Sequence, residues 1–124
     1  MEVRRYKDSD YEILKTWQEA RNESMPSSDM LSDIGFIIED TAVVFLYTTN
    51  SKIAYLETMI TNPKAKNRRL AIDSVTYEAL DYAKHIGVKL IISTSMSESV
   101  ISLSEYHGFK ATGNYTLLIK NLIA

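Results

Sequence analysis

Apolar positions along the chain change their spacing several times, and each change marks an element. Val3 to Tyr6 reads as a short first strand. Ser9-Asp10-Tyr11-Glu12 fits a capping box, with serine at the cap and glutamate three residues on. Ile13, Leu14, Trp17 and Ala20 then follow at helical spacing, and the helix fades near Asn22. Ser24 to Asp33, which contains Pro26, reads as a loop. From Gly35 the period shortens. Phe36-Ile37-Ile38 is rich in strand formers, and Glu39-Asp40 makes a turn. Ala42 to Thr48 and Ile53 to Thr61 are two further strands, separated by Asn50-Ser51 and closed by Asn62-Pro63. These three strands predict an antiparallel meander.

Leu70 to Ile86 is the clearest helix, with Ile72, Val75, Ala79, Leu80, Ala83 and Ile86 on one apolar stripe. Gly87 suits its C′ position, which favours the left-handed conformation. Val88 to Ser93 is an apolar strand directly after it, so a parallel crossover is expected. Ser97 to Tyr106 predicts another helix, ended by Gly108, and Tyr115 to Leu122 a last strand. The predicted order is β-α-β-β-β-α-β-α-β, an α/β (α+β) fold in one domain over residues 1–124. No internal repeat or low-complexity tract interrupts it.

Composition narrows the chemistry. The 124 residues are 45% hydrophobic and 24% charged, ordinary for a folded domain. There is no cysteine, which excludes disulfides, thiolate nucleophiles and zinc–thiolate sites. His85 and His107 are the only histidines, and each reads as a helix C-terminal residue rather than a ligand, so no metal is expected. No apolar run approaches the ~20 residues of a membrane span. The charged start, Met1-Glu2-Val3-Arg4-Arg5, lacks a signal-peptide core, so a cytoplasmic protein with no membrane partner is expected. Net charge is −2, so any anion site must be local.

One such site stands out. Lys64-Ala65-Lys66-Asn67-Arg68-Arg69 carries four cations at the start of the central helix. A helix N-terminus already carries about half a positive charge, so cations there cost a few tenths of a kcal/mol or more. Either the side chains turn into solvent, or they converge with free backbone N–H groups on an anion. A nucleotide, a coenzyme or a nucleic-acid backbone would each fit that description.

Element order and local sequence together resemble the GNAT superfamily of acyl-CoA N-acyltransferases over nearly the whole chain. The resemblance looks closest to short GNAT-like proteins of tailed bacteriophages. Glu57-Thr58-Met59-Ile60-Thr61-Asn62-Pro63 resembles the family's fourth strand and the Asn/His-Pro after it. Lys66-Asn67-Arg68-Arg69-Leu70-Ala71 matches the pyrophosphate loop, with Arg69 standing where the first glycine is expected. Ser97 to Lys110 resembles the closing helix: Leu103, Gly108 and Phe109 match, Ser97 holds the asparagine position and Ser104 the tyrosine position.

The resemblance implies a mostly antiparallel mixed sheet of about six strands, with helices on both faces. It implies acetyl-CoA as co-substrate and transfer of its acyl group to an amine of a protein or small molecule. Glu57 is then the candidate proton acceptor, and strand alternation puts Tyr55, Glu57, Met59 and Thr61 on one face. A backbone N–H of Met59 or Ile60 would serve the thioester oxygen. Ser104 would stand near the leaving sulfur. Met59, Ile60, Thr61, Lys66 to Ala71 and Ser97 would hold the coenzyme. Trp17, Tyr47 and the Ser24–Asp33 loop are candidates for the acceptor side. The oligomeric state stays open, a dimer included. Two other functions compete: a non-catalytic GNAT-fold module that binds a coenzyme or a protein, and a small nucleic-acid-binding protein using Lys64 to Arg69. The acidic balance and the lack of a wider basic stripe weigh against nucleic acid.

Overall fold

The computed structural model describes residues 1–95 and 97–123. The chain divides into two compact units, Met1–Thr94 and Ser95–Ala124.

The first unit holds a five-stranded sheet in the order β1-β2-β3-β4-β5. Its strands are β1 (Arg4–Arg5), β2 (Gly35–Ile38), β3 (Ala42–Thr48), β4 (Ile53–Thr61) and β5 (Leu90–Ile92). Neighbours from β1 to β4 pair antiparallel, and β5 pairs parallel to β4. The predicted meander and crossover are both present. Helix α1 (Tyr11–Ala20) and helix α2 (Arg68–His85) cover the sheet.

The two helices take opposite faces, and the strand period explains why. Ile37, Val43, Phe45 and Ile60 pack with Leu14 and Trp17 of α1 and with Tyr6 and Leu31. Phe45 lies at the centre of that layer, fully buried and edge-on to Tyr6 at 4.8 Å. Residues of the other parity turn to α2, where Phe36 meets Tyr82 at 5.7 Å. Ala71, Val75, Ala79 and Ala83 form the buried stripe of α2, and their small side chains let the helix lie close to the strands. Gly35 has no room for a side chain: a β-carbon there would stand 2.8 Å from Tyr6 Cβ and 2.9 Å from the Phe45 ring.

Helix ends follow local chemistry. Gly87 closes α2 at φ +89, with Val88 N–H donating to Ala83 O and Gly87 N–H to Lys84 O, a Schellman motif. At α1 the expected cap moves by one residue. Asp10, not Ser9, receives the Lys7 N–H at 2.8 Å, within a 3-10 turn over Asp8–Asp10 that precedes the helix. Arg4 selects Asp10, donating to both of its carboxylate oxygens at 2.7 and 2.9 Å.

The second unit contains α3 (Glu98–Tyr106), with Ser97 as its N-cap. The sixth strand expected over Tyr115–Leu122 is not formed: residues 109–123 adopt neither helix nor strand. Alternating apolar residues give strand propensity but no ladder. The second unit has no other strand among its described residues to supply one.

Candidate functional site

Strand β4 carries one residue more than β3 across a short stretch. Val43 pairs with Ile60, but Phe45 pairs with Glu57, so three steps on β4 oppose two on β3. The extra residue makes a β-bulge, and Thr58 within it has φ +60. A β-branched residue in the left-handed region is a true outlier and costs about 1–3 kcal/mol. Tyr47 holds it from β3, with its hydroxyl 3.0 Å from Thr58 Oγ1.

The bulge corrects the expected facing of β4. Simple alternation grouped Tyr55, Glu57, Met59 and Thr61. In the structure Glu57 lies opposite Phe45 and Ile60 opposite Val43, so Glu57 shares its parity with Ile60 instead. Thr61 lies opposite Ala42, on the other parity. Ile60 is buried in the α1 layer, whereas Met59 is half-buried. Arg21, just past the end of α1, fastens the top of β4 by donating to the Thr61 carbonyl and to Thr61 Oγ1.

On its other side β4 parts from β5. Their pairing ends at Tyr55 and Ile92, while β4 continues to Thr61. One link follows the last rung. The backbone N–H of Thr94 donates to Glu57 Oε1 at 2.9 Å, and the Thr94 hydroxyl donates to the same oxygen at 3.1 Å. Half-burial pushes the Glu57 carboxyl above its usual range, and the two Thr94 hydrogen bonds pull partly back.

Beyond β4 the chain turns through Asn62-Pro63 into α2. Asn62 braces this turn: its N–H donates to Thr41 O, its side-chain amide to Asp40 O, and its Oδ1 accepts the Lys64 N–H. Asn67 is the N-cap of α2 and takes the left-handed conformation, φ 58 and ψ 33. The Asn67 side chain does not cap the helix. The first intrahelical bond is Ala71 N–H to Asn67 O, so the N–H groups of Arg68, Arg69 and Leu70 precede the ladder. Lys64, Lys66, Arg68 and Arg69 are all exposed around them. Arg68 also donates to Pro63 O at 2.6 Å, and Arg69 stands 4.0 Å from Asp73. The left-handed residue of this turn is therefore Asn67, a type that tolerates it, and Arg69 needs no positive φ.

Neither a protein-family model nor a curated protein matches this chain. Solved structures do match. Glucosamine-6-phosphate N-acetyltransferase from Arabidopsis thaliana aligns at TM-score 0.64 and 13% identity, over 99% of this chain and 98% of its own. The ribosomal-protein-S18-alanine N-acetyltransferase from Escherichia coli aligns at TM-score 0.71 and 14% identity, over 90% of this chain and 79% of its own. Rv2747 from Mycobacterium tuberculosis, solved in complex with CoA, aligns at TM-score 0.74 and 13% identity, over 95% and 76%. The chain shares the fold of these two N-acetyltransferases and of Rv2747. At these identities the likeness is one of fold.

Within that fold, the first unit brings Glu57, Met59, Ile60 and Thr61 onto one strand and joins them through a five-residue turn, 62–66, to Asn67–Ala71. Ala71 is fully buried beneath the helix start, and Leu70 is exposed. Ser97 and Ser104 belong to the second unit. Ser97 Oγ accepts the Val100 N–H at 3.4 Å and lies 2.9 Å from Ser99 Oγ. Ser104 lies on α3, and its carbonyl accepts from His107 and Phe109. Sequence reasoning missed Thr58, Thr94 and Arg21. Each acts through a partner far along the chain, and none carries a local motif. Among the described residues no group of acidic or histidine side chains is placed to hold a metal, and no helix is long and apolar enough to cross a membrane.

Proposed function

We propose that this protein is an N-acyltransferase that moves an acetyl or similar acyl group from a coenzyme A thioester to an amine. The observation that carries the reading is the parting of β4 from β5 beyond Tyr55. It lies between a half-buried carboxylate, Glu57, and a turn that leads to a helix start rich in spare donors. The fold shared with acetyltransferases supports it.

The donor set fits a phosphate group. Three backbone N–H groups at the start of α2 lie ahead of the helix ladder, and four exposed cations surround them. Lys66 and Arg68 are the side chains assigned to the pyrophosphate, with the N–H groups of Arg69 and Leu70. Arg69 adds charge in place of the close backbone approach that a glycine would allow.

The coenzyme supplies an activated acyl carbon and a good leaving group. The amine nitrogen bonds to that carbon as the carbon–sulfur bond breaks, and sulfur leaves as the thiolate. Thiols ionise near pH 8.5, so the leaving group needs little help with protonation. The amine loses one proton, and Glu57 is the group assigned to receive it, directly or through one water. Its raised pKa suits that work, because a base performs best when its pKa is near the working pH. Met59 and Ile60 offer backbone N–H groups beside the bulge for the thioester oxygen. Ser97 and Ser104 enter from the family resemblance alone.

Thermal unfolding with acetyl-CoA, with free coenzyme A and with short nucleic acids tests the reading. Ligand at ~100 times its dissociation constant adds about 2.7 kcal/mol. Both coenzyme forms are expected to raise Tm, and thiol release is expected with at least one amine of a panel. No shift with either form overturns the proposal. A shift without thiol release assigns the fold to a non-catalytic binding module.

A further inference from the structure

We propose that Thr94 is a positioning residue for Glu57, fixing one carboxylate oxygen so that the other is presented to the amine. The inference rests on the reading of Glu57 as the proton acceptor. It concerns a residue two positions past the end of β5.

The geometry is two-pronged. Thr94 N–H and Thr94 Oγ1 reach Glu57 Oε1 at 2.9 and 3.1 Å, while Oε2 lies 3.4 Å from the same hydroxyl. A hydroxyl has a single proton. With that proton on Oε1, Oε1 accepts two hydrogen bonds and Oε2 keeps its lone pairs for a substrate. Two donors on one oxygen also hold the plane of the carboxylate, which a single contact would leave free to rotate. The location matters as much as the contact. Thr94 follows Ile92, the last paired residue of β5, so the clamp sits where the two strands separate.

Other groups do not supply this restraint. Opposite Glu57 on β3 stands Phe45. The same face carries the phenol rings of Tyr6, Tyr11 and Tyr47, with Tyr55 two residues before Glu57 on β4. Among the described residues no cation forms an ion pair with Glu57. Burial is the largest influence on its ionisation, and the backbone and side-chain bonds from Thr94 oppose it.

The test uses Thr94→Val, which removes the hydroxyl and keeps the backbone N–H, and Thr94→Ser, which restores a donor. Carbon-13 NMR of labelled glutamate follows the Glu57 carboxyl, with Glu57→Gln identifying its signal, and the same spectra report folding. Thr94→Val is expected to titrate at higher pH than the wild type, and Thr94→Ser alongside it. In kinetics the acid limb of kcat/KM follows. Thr94→Val is expected to run about threefold to fivefold below wild type on that limb, the size of one hydrogen bond. It converges at high pH, with KM for acetyl-CoA unchanged. Identical Glu57 titrations in wild type and Thr94→Val overturn the inference, whether or not the protein transfers acyl groups. A shifted titration with an unshifted rate limb overturns it as well. A wild-type protein that transfers no acyl group removes the proposed function, and the titration still decides Thr94.

Discussion

Tyr47 holds the hydroxyl of Thr58 at 3.0 Å, and Thr58 is the residue on which β4 changes parity. A strained threonine in a strand is held there by its surroundings. Here the holding group comes from β3, and the result is that Glu57 and Ile60 share a face three residues apart.

Removing the hydroxyl should loosen the bulge. Tyr47→Phe is expected to lower stability by about 1 kcal/mol, one hydrogen bond's worth. Thr58→Gly relieves the left-handed strain and loses the same bond, so its net stability change should stay within about 1 kcal/mol. Both should lower turnover more than stability, roughly tenfold, because misplaced donors cost a transition state heavily. Urea unfolding and acyl-transfer rates of the two variants check this. A Tyr47→Phe protein with wild-type turnover removes the bulge from the catalytic account.

Glu57 gives a pH dependence of definite sign. Its folded pKa lies above its unfolded value, with burial the main cause. Such a group contributes stability that is fully present below the unfolded pKa and lost as pH rises through the folded pKa. Glu57→Gln should therefore be relatively more stable than wild type at neutral pH, and that advantage should vanish in acid. The amide oxygen of Gln can still accept the Thr94 N–H. Unfolding midpoints at pH 7 and pH 4 measure it. Turnover should fall in the same variant at every pH while coenzyme binding stays.

Asp10 runs the other way. Arg4 is the main cause of its lowered pKa and the Lys7 N–H adds to it, so its stabilisation is present above the unfolded carboxylate value and lost as pH falls through the depressed folded one. Arg4 is held in turn by Glu39 at 2.5 Å. Asp10→Ala removes a bidentate pair and the side-chain bond to the Lys7 N–H, and should cost about 2 kcal/mol at neutral pH. Acid unfolding of this variant should show a weaker dependence on pH than wild type as pH falls below the ordinary carboxylate value.

These residues also show what the sequence could disclose. Strands β3 and β4 have the bounds their apolar runs predict, because strand formers fill them and turn residues close them. The bulge inside β4 left no mark, since threonine is a good strand former and nothing in IAYLETMIT signals a positive φ. Asn67 is different. Asparagine tolerates the left-handed region, and it sits where the link must turn into α2. Asp10, not Ser9, stands at the N-cap of α1, and its side chain does not cap the helix because Arg4 and the Lys7 N–H take up its carboxylate, contacts that the local sequence does not announce. Thr94 was out of reach for a related reason: its partner lies 37 residues away. The strand expected at Tyr115–Leu122 fails because propensity is local and pairing is not.

The helix start separates two roles that its cations could play. Arg68 has a structural partner, Pro63 O at 2.6 Å, whereas among the described residues Lys66 has no side-chain hydrogen bond or ion pair. Arg69 is two-thirds exposed and only 4.0 Å from Asp73, a weak contact at the surface. Lys66→Ala and Arg69→Ala should therefore leave the unfolding free energy within about 0.5 kcal/mol of wild type, as surface changes do. Arg68→Ala should cost about 1 kcal/mol through the lost Pro63 bond. Each change should weaken coenzyme A by roughly fivefold to thirtyfold if its cation meets a phosphate, and the loss should shrink as salt rises. Dephospho-coenzyme A separates the contacts further, because a side chain that serves only the 3′-phosphate loses its effect on that ligand. Calorimetric titration of the three variants with both ligands, at low and high salt, makes the comparison. If Arg69→Ala binds coenzyme A as tightly as wild type while Lys66→Ala does not, the arginine at the glycine position is a solvated side chain. The phosphate would then rest on Lys66, Arg68 and the backbone of α2.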